Sequence, residues 1–322
     1  MTNRSAVDAI LLLEPLHDDA VKLLADHARV FQVETAEQAE KVARTNNVLA
    51  ILTRGKGRVT RELIIACKNL KAVSRAGAGV DTIDIETARA HDIKIVFAPG
   101  VNAATTAEHA LMLMLMITRR AAELTRRVKA DDWAARDGYE GVELRWKTLG
   151  LIGLGAIGRE VATRAAAFGM RVLGLSRTSS APGAQPPPGV TLTQWDQLLA
   201  ESDIVSLHVP LKEDTRGIFG VDQLRAMKRG GFLINTARGA LVDKAALLEA
   251  LDSGRLAGYA ADVFDPQPPT EEDLPLINRP NVIVTPHVAG LTDATYRQVC
   301  LFCARNVLAV LTNGTPDARS LF

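Results

Sequence analysis

The amino-acid sequence predicts an α/β protein made of two doubly wound parallel-sheet domains, and three observations carry that prediction. Short β-rich runs alternate with helical patterns through the first hundred residues, the rhythm of parallel strands joined by crossover helices. The same rhythm returns in the second half. Between them, the run TLGLIGLGAIG at 148–158 reads as a buried strand that turns sharply into a helix through three spaced glycines.

Taken in order, the first half is expected to hold strands at 9–13, 30–33, 49–52, 71–74 and 93–97, with helices at 18–27, 35–43, 61–66 and 83–91. A long helix is expected at 106–120. The second half begins with the strand of the glycine run, its helix at 157–168 and a strand at 171–175. Strands at 203–207, 231–235, 256–261 and 281–285 follow, with helices at 194–200, 221–228 and 244–253. The proline-rich stretch 181–189 is a surface loop, since the sheet pattern resumes directly after it. A last helix, 293–311, comes after the final strand.

The glycine run points to a dinucleotide. Gly153 suits a tight turn, Gly155 lets the backbone approach a pyrophosphate, and Gly158 lets the helix pack closely on its strand. The helix opened by Ala156 and Ile157 aims unpaired N–H groups and its positive dipole end at that pyrophosphate. A cofactor module starting near residue 148 makes the preceding region a separate module, and the C-terminal helix is expected to return to it. The expected organisation is a Rossmann cofactor domain, 103–288, inserted into a flavodoxin-like substrate domain, 1–102 plus 289–322.

Composition narrows the function. At 322 residues the chain suits two domains, and 38 basic against 37 acidic residues leave no basic tract for nucleic acid and no acidic tail. The apolar run 110–117 is too short to span a bilayer. The run 7–13 carries Asp8 and lacks the marks of a secretory signal. Three cysteines make no paired framework. Cys300 and Cys303 form a CxxC inside an apolar-faced helix and are expected as core thiols rather than metal ligands. No metal site, no membrane partner and a cytoplasmic, reducing location are expected. Small metabolites are the expected partners.

Several polar residues fall at strand ends on the side of the glycine turn, which lines the ligand crevice of an open α/β sheet. Arg238 follows the strand 231–235, where a guanidinium can grip a carboxylate and polarise a carbonyl. Asp262 ends the strand 256–261. His287 follows the last strand and Pro286, a titratable imidazole placed for proton transfer. His17, His27 and His91 read as helix residues and His109 as part of the long helix, while His208 is expected to line the cofactor groove.

These pieces, with SRAGAGVD at 74–81, PGVN at 99–102, AEH at 107–109, VPL at 209–211 and NTARG at 235–239, resemble the D-isomer-specific 2-hydroxyacid dehydrogenase family over nearly the whole chain. The resemblance implies a homodimer and hydride transfer between a nicotinamide and carbon 2 of a small acid. It implies that Arg238 binds the substrate carboxylate and carbonyl while His287 shuttles the proton. Arg75, Asn102 and the N–H groups around Ala78 and Gly79 would hold the substrate. Asp262 would orient the nicotinamide amide, and His208, Val209, Pro210, Thr215, Thr236 and Ala237 would complete the cofactor groove. Trp133, Tyr139 and Trp146 are expected to pack the dimer interface.

The sequence departs from the family pattern twice. An NAD site places Asp or Glu after the second strand, whereas this chain reads Ser176, Arg177, Thr178, a set able to hold a 2′-phosphate. NADP(H) is therefore expected over NAD(H). The family sets a glutamate against the catalytic histidine, and here Gln267 stands in its place. A neutral amide orients the ring without supplying charge, so His287 is expected to titrate lower than in relatives unless Asp265 or the acidic run 271–273 substitutes.

The leading expectation is NADPH-dependent reduction of a small 2-keto acid, glyoxylate or hydroxypyruvate, to the D-2-hydroxy acid. The alternatives are hydroxy-acid oxidation with NAD(P), formate oxidation (which needs no acid–base partner and whose enzymes share the segment PQP found at 266–268), and a dinucleotide-sensing interaction protein with weak catalysis.

Overall fold

The computed structural model describes residues 8–175 and 186–322. Ser176, Arg177, Thr178 and most of the proline-rich stretch lie outside the described residues. The chain divides into two compact units, Met1–Asn102 with Gly290–Phe322, and Ala103–Ala289.

The first unit holds a five-stranded parallel sheet of β1 (Asp8–Leu12), β2 (Arg29–Gln32), β3 (Asn47–Thr53), β4 (Ala72–Arg75) and β5 (Lys94–Phe97), in the order β2-β1-β3-β4-β5. Its helices are α1 (Asp18–Ala25), α2 (Ala36–Thr45), α3 (Arg61–Ala66) and α4 (Ile85–Ala90). The period-two alternation of a strand sorts the side chains between two layers. Ala9 and Leu11 face the layer of α2, α3 and α4, whereas Ile10 and Leu12 face α1 and the C-terminal helix. That helix, Asp293–Leu311, starts where the Thr292 hydroxyl accepts from the Thr295 N–H, and it buries Cys300, Cys303, Ala304 and Val307 in this unit. Both cysteines of the CxxC are thus buried free thiols, and burial pushes Cys303 up to about 12.

The second unit begins with the long helix α5 (Ala103–Thr118), followed by α6 (Ala121–Lys129). Its sheet comprises β6 (Thr148–Ile152), β7 (Arg171–Leu175), β8 (Val190–Leu192), β9 (Ile204–Leu207), β10 (Gly231–Asn235), β11 (Leu256–Ala261) and β12 (Val282–Val284). All pairs are parallel, in the order β12-β11-β10-β9-β6-β7-β8. The intervening helices are α7 (Ala156–Ala167), α8 (Trp195–Glu201), α9 (Val221–Ala226), α10 (Lys244–Asp252) and α11 (Leu274–Ile277), with the C-terminal helix as α12. Leu149 and Leu151 of β6 pack on α5 and α7, while Ile152 faces the opposite layer of α8 to α10. Each such leucine, fully buried, contributes roughly 1.5–3 kcal/mol. No helix among the described residues is long and apolar enough to cross a membrane.

Three elements escaped the sequence reading for a common reason. The helix α6 buries none of its residues, β8 is a three-residue edge strand with only Val190 buried, and α11 is a single turn. None offers an apolar period that reads as core-facing: β8 and α11 are too short to show one, and the few apolar residues of α6 share a side that is not buried.

Candidate active site

In the second unit the strand order reverses between β6 and β9, the place where open α/β sheets bind ligands beyond the strand ends. There β6 gives way to Gly153 at φ +104°, and a Cβ on it would lie 2.6 Å from the His208 carbonyl oxygen. A Cβ on Gly158 would lie 2.0 Å from the Gly153 oxygen, so the turn and the helix close only without side chains. Gly155 is the opposite case: it is exposed, and among the described residues nothing beyond its chain neighbours lies within 4 Å of where its Cβ would be. Space at Gly155 and the first N–H groups of α7, at Ala156 and Ile157, fit a dinucleotide pyrophosphate.

The rest of the groove is furnished by loops. His208 donates its N–H to Ile152, its Nε2 lies 2.9 Å from the Ser206 hydroxyl, and burial pushes its imidazole down to about 4. It is therefore neutral near pH 7. Val209 packs into the apolar layer, and Pro210 accepts from the Thr215 hydroxyl at 2.8 Å. Thr215 also accepts from the Lys212 N–H, so this buried hydroxyl closes the 210–215 loop on itself.

Arg238, Asp262 and His287 stand just past the ends of the adjacent strands β10, β11 and β12. Asn235, fully buried, accepts from the Ala237 N–H and donates to the Arg238 carbonyl, which pins the loop through Thr236. Arg238 is half-buried and donates from Nη1 to the Ala237 carbonyl at 2.7 Å. Gly239 permits this loop to lie against the next: its Cβ would be 2.2 Å from the Phe264 carbonyl carbon.

His287 is exposed and sits in the left-handed region at φ +56°. Its N–H donates to the Asp262 carbonyl at 2.9 Å, and its Nδ1 lies 2.7 Å from Gln267 Oε1. An amide oxygen there accepts from Nδ1–H and leaves Nε2 as the exchangeable position. Of the acidic residues expected as possible substitutes, Asp265 pairs with Arg216 at 3.2 Å and Asp273 with Lys244 at 2.6 Å. Asp262, 1% exposed, accepts from the Thr285 hydroxyl (2.6 Å) and the Val288 N–H (2.9 Å) at Oδ1, and from the Ala289 N–H (2.8 Å) at Oδ2. Its carboxylate is turned to the segment that carries His287. Sequence reasoning passed over His109, whose Nε2 lies 2.9 Å from the Thr285 hydroxyl. A titratable residue amid the buried apolar positions of α5 was the signal available.

The first unit holds the other expected residues. Arg75 ends β4, and its guanidinium folds across two glycines: a Cβ on Gly77 would fall 1.9 Å from Nη1 and one on Gly55 3.2 Å from Nη2. Ala78 and Gly79 lie half-buried in the following loop, and among the described residues no acceptor takes their N–H groups. Asn102 approaches Gly290, with Nδ2 2.7 Å from where a Cβ would be. Sequence reasoning also missed Glu14, just past β1. One of its oxygens accepts from the Thr53 hydroxyl and from four consecutive N–H groups, 54–57, at 2.8–3.1 Å. Burial alone would lift this carboxyl, but those bonds outweigh it and hold the carboxyl below its ordinary value.

The chain is similar to known proteins over nearly its whole length. Residues 111–289 match the family model described as D-isomer specific 2-hydroxyacid dehydrogenase, NAD binding domain. The chain is 39% identical over 288 residues to a hydroxypyruvate reductase of Thermotoga maritima, covering 89% of this chain and 92% of that one. It is 40% identical over 308 residues to a D-3-phosphoglycerate dehydrogenase of Archaeoglobus fulgidus, covering 95% of this chain but spanning only 58% of the relative's length. A glyoxylate reductase structure from Paecilomyes thermophila superposes with a TM-score of 0.83 at 32% identity, over 98% of this chain and 97% of that one. The chain belongs to the D-isomer-specific 2-hydroxyacid dehydrogenase family.

Proposed function

We propose that the protein reduces a small 2-keto acid of the glyoxylate or hydroxypyruvate class to the D-2-hydroxy acid with NADPH. The observation that carries the reading is the pair Arg238 and His287, past the ends of β10 and β12 on either side of β11, with His287 oriented by Gln267. The nicotinamide nucleotide supplies hydride when bound. Gly155 and the α7 N-terminus hold its pyrophosphate, and Ser176, Arg177 and Thr178 hold a 2′-phosphate. The last assignment rests on the sequence, which offers no acidic residue there.

The protein's own groups do the rest. Arg238 grips the substrate carboxylate and stabilises charge developing on the carbonyl oxygen, and His287 delivers a proton to that oxygen from Nε2. Arg75, Asn102 and the N–H groups of Ala78 and Gly79 bind the acid. The small-acid class is supported by the similarity to the reductases, whose lengths this chain covers almost fully. The similarity to D-3-phosphoglycerate dehydrogenases favours a second reading, oxidation of a phosphorylated hydroxy acid. The protein works as a cytoplasmic homodimer in this proposal. Supporting the dimer, Met112 of α5 and Phe168 after α7 are exposed beside a shallow apolar groove, and Trp133 and Trp146 are 71% and 73% exposed.

Loss of nucleotide absorbance, with NADPH and NADH side by side, tests the proposal across glyoxylate, hydroxypyruvate, pyruvate and 3-phosphohydroxypyruvate. Turnover of the small acids with NADPH is expected. Turnover confined to the phosphorylated acid, or to NADH, overturns the corresponding part.

A further inference from the structure

The mechanism proposed above leaves one titratable group near His287 without a task. His109, on α5, has a side chain only 14% exposed, with Nε2 2.9 Å from the Thr285 hydroxyl and 3.5 Å from Asp262 Oδ1. The Thr285 hydroxyl owns a single proton, and its 2.6 Å bond directs that proton to the Asp262 carboxylate, an acceptor-only group. A bond so short is what charge assistance produces. The threonine oxygen then has only lone pairs left for His109, so the imidazole must carry its proton on Nε2. Burial holds this ring below its ordinary value against the pull of Asp262, which keeps it a neutral donor.

The far end of the relay is the segment that presents His287. Asp262 also accepts from the Val288 and Ala289 N–H groups, and its carbonyl accepts from the His287 N–H. His287 itself is left-handed at φ +56°, a conformation that side-chain-bearing residues hold only where their surroundings impose it. We propose that His109 is a positioning residue, donating from Nε2 to Thr285 and through it fixing Asp262 and the 285–289 segment so that His287 meets its substrate in register. The effect on turnover rests on the reading of His287 as proton donor. The hydrogen-bond relay does not.

The test therefore has two arms. Long-range ¹H–¹⁵N NMR of labelled protein at neutral pH, with the ring assigned by its loss in His109→Gln, should show His109 neutral with Nε2 protonated. An Nδ1–H tautomer or a cationic ring overturns the relay. In the second arm, His109→Gln keeps a donor at the Nε2 position and His109→Leu removes it. The Gln variant should retain kcat within about threefold, whereas the Leu variant loses on the order of tenfold in kcat with little change in the KM for nucleotide, as slight misplacement of a reacting group does. Adding Thr285→Val to the Leu variant should cost little more, since the relay is already cut. Equal kcat in the Gln and Leu variants, both folded by thermal melt, overturns the positioning role. A wild-type protein that turns over none of the keto acids overturns the functional reading instead, and the tautomer then decides the relay alone.

Discussion

Each of the two sheets reverses its strand order once, and the two reversal points are furnished in opposite ways. In the second unit, between β6 and β9, the chain withdraws: among the described residues nothing beyond its chain neighbours approaches the Cβ position of Gly155, at the start of α7 where the pyrophosphate is proposed to bind. In the first unit, between β1 and β3, the chain fills the crevice with its own anion, because Glu14 occupies a nest of four consecutive N–H groups after β3. The topology makes a ready anion site in both places. What separates a ligand site from a structural plug is one acidic side chain. The plugged crevice still serves the proposed function, since the loop that Glu14 fixes includes Gly55, on which the Arg75 guanidinium rests.

Substitutions at the two crevices should therefore fail differently. The largest effect is expected at Gly158→Ala, whose methyl would meet the Gly153 oxygen: about 3 kcal/mol of stability lost in chemical denaturation, together with nucleotide binding. Glu14→Ala strands buried N–H groups and is expected to cost about 2–3 kcal/mol, with Glu14→Gln, which keeps one acceptor oxygen, losing about half as much. Loss below about 0.5 kcal/mol in Glu14→Ala would mean that water fills the nest as well as the carboxylate does.

The Glu14 contribution also has a pH signature. Its native carboxyl lies below the ordinary value, so the unfolded chain takes up the proton first as pH falls. The stabilisation is complete above the ordinary carboxylate range and drains away as pH drops through the native value. Wild type should accordingly lose its advantage over Glu14→Gln as pH falls from the ordinary carboxylate range through the lower native value, read as converging denaturation midpoints.

Gly155→Ala sharpens the contrast from the open side. Its backbone, at φ −71°, accepts alanine and among the described residues no neighbour is near, so stability should stay within about 0.5 kcal/mol. Nucleotide affinity should nevertheless fall, by roughly tenfold, because the methyl occupies the approach of the pyrophosphate. Unchanged affinity by fluorescence titration would move the phosphates elsewhere. The smallest effect is expected at Gln267→Glu. A carboxylate against Nδ1 raises the imidazole pKa, so keto-acid reduction should persist to a pH higher by roughly one unit, and an identical pH–rate profile would remove Gln267 from the proton chemistry.

Much of this protein was readable in the chain alone. Period and punctuation identify the parallel strands, and the spacing of Gly153, Gly155 and Gly158 identifies the turn, because turn geometry and sheet burial act on neighbouring residues. Arg238, Asp262 and His287 could be placed at strand ends for the same reason. Of the partners of those residues, only Gln267 opposite His287 was expected, and that through the family resemblance rather than from local pattern. Gln267 reaches His287 across 20 positions, His109 reaches Thr285 across 176, and Glu14 grips a loop about 40 residues away. Asp262 shows the limit most clearly: its position follows from the strand, but the commitment of its carboxylate to residues 285–289 depends on how two loops meet. The sequence by itself determined the class of fold, the glycine turn and the strand-end positions of the residues proposed to react, since each is written in local period and spacing. Only the tertiary structure decided which crevice is open, which carboxylate is already spoken for and which histidine stands behind the exposed one, because a hydrogen bond depends on distances that separation along a chain does not encode.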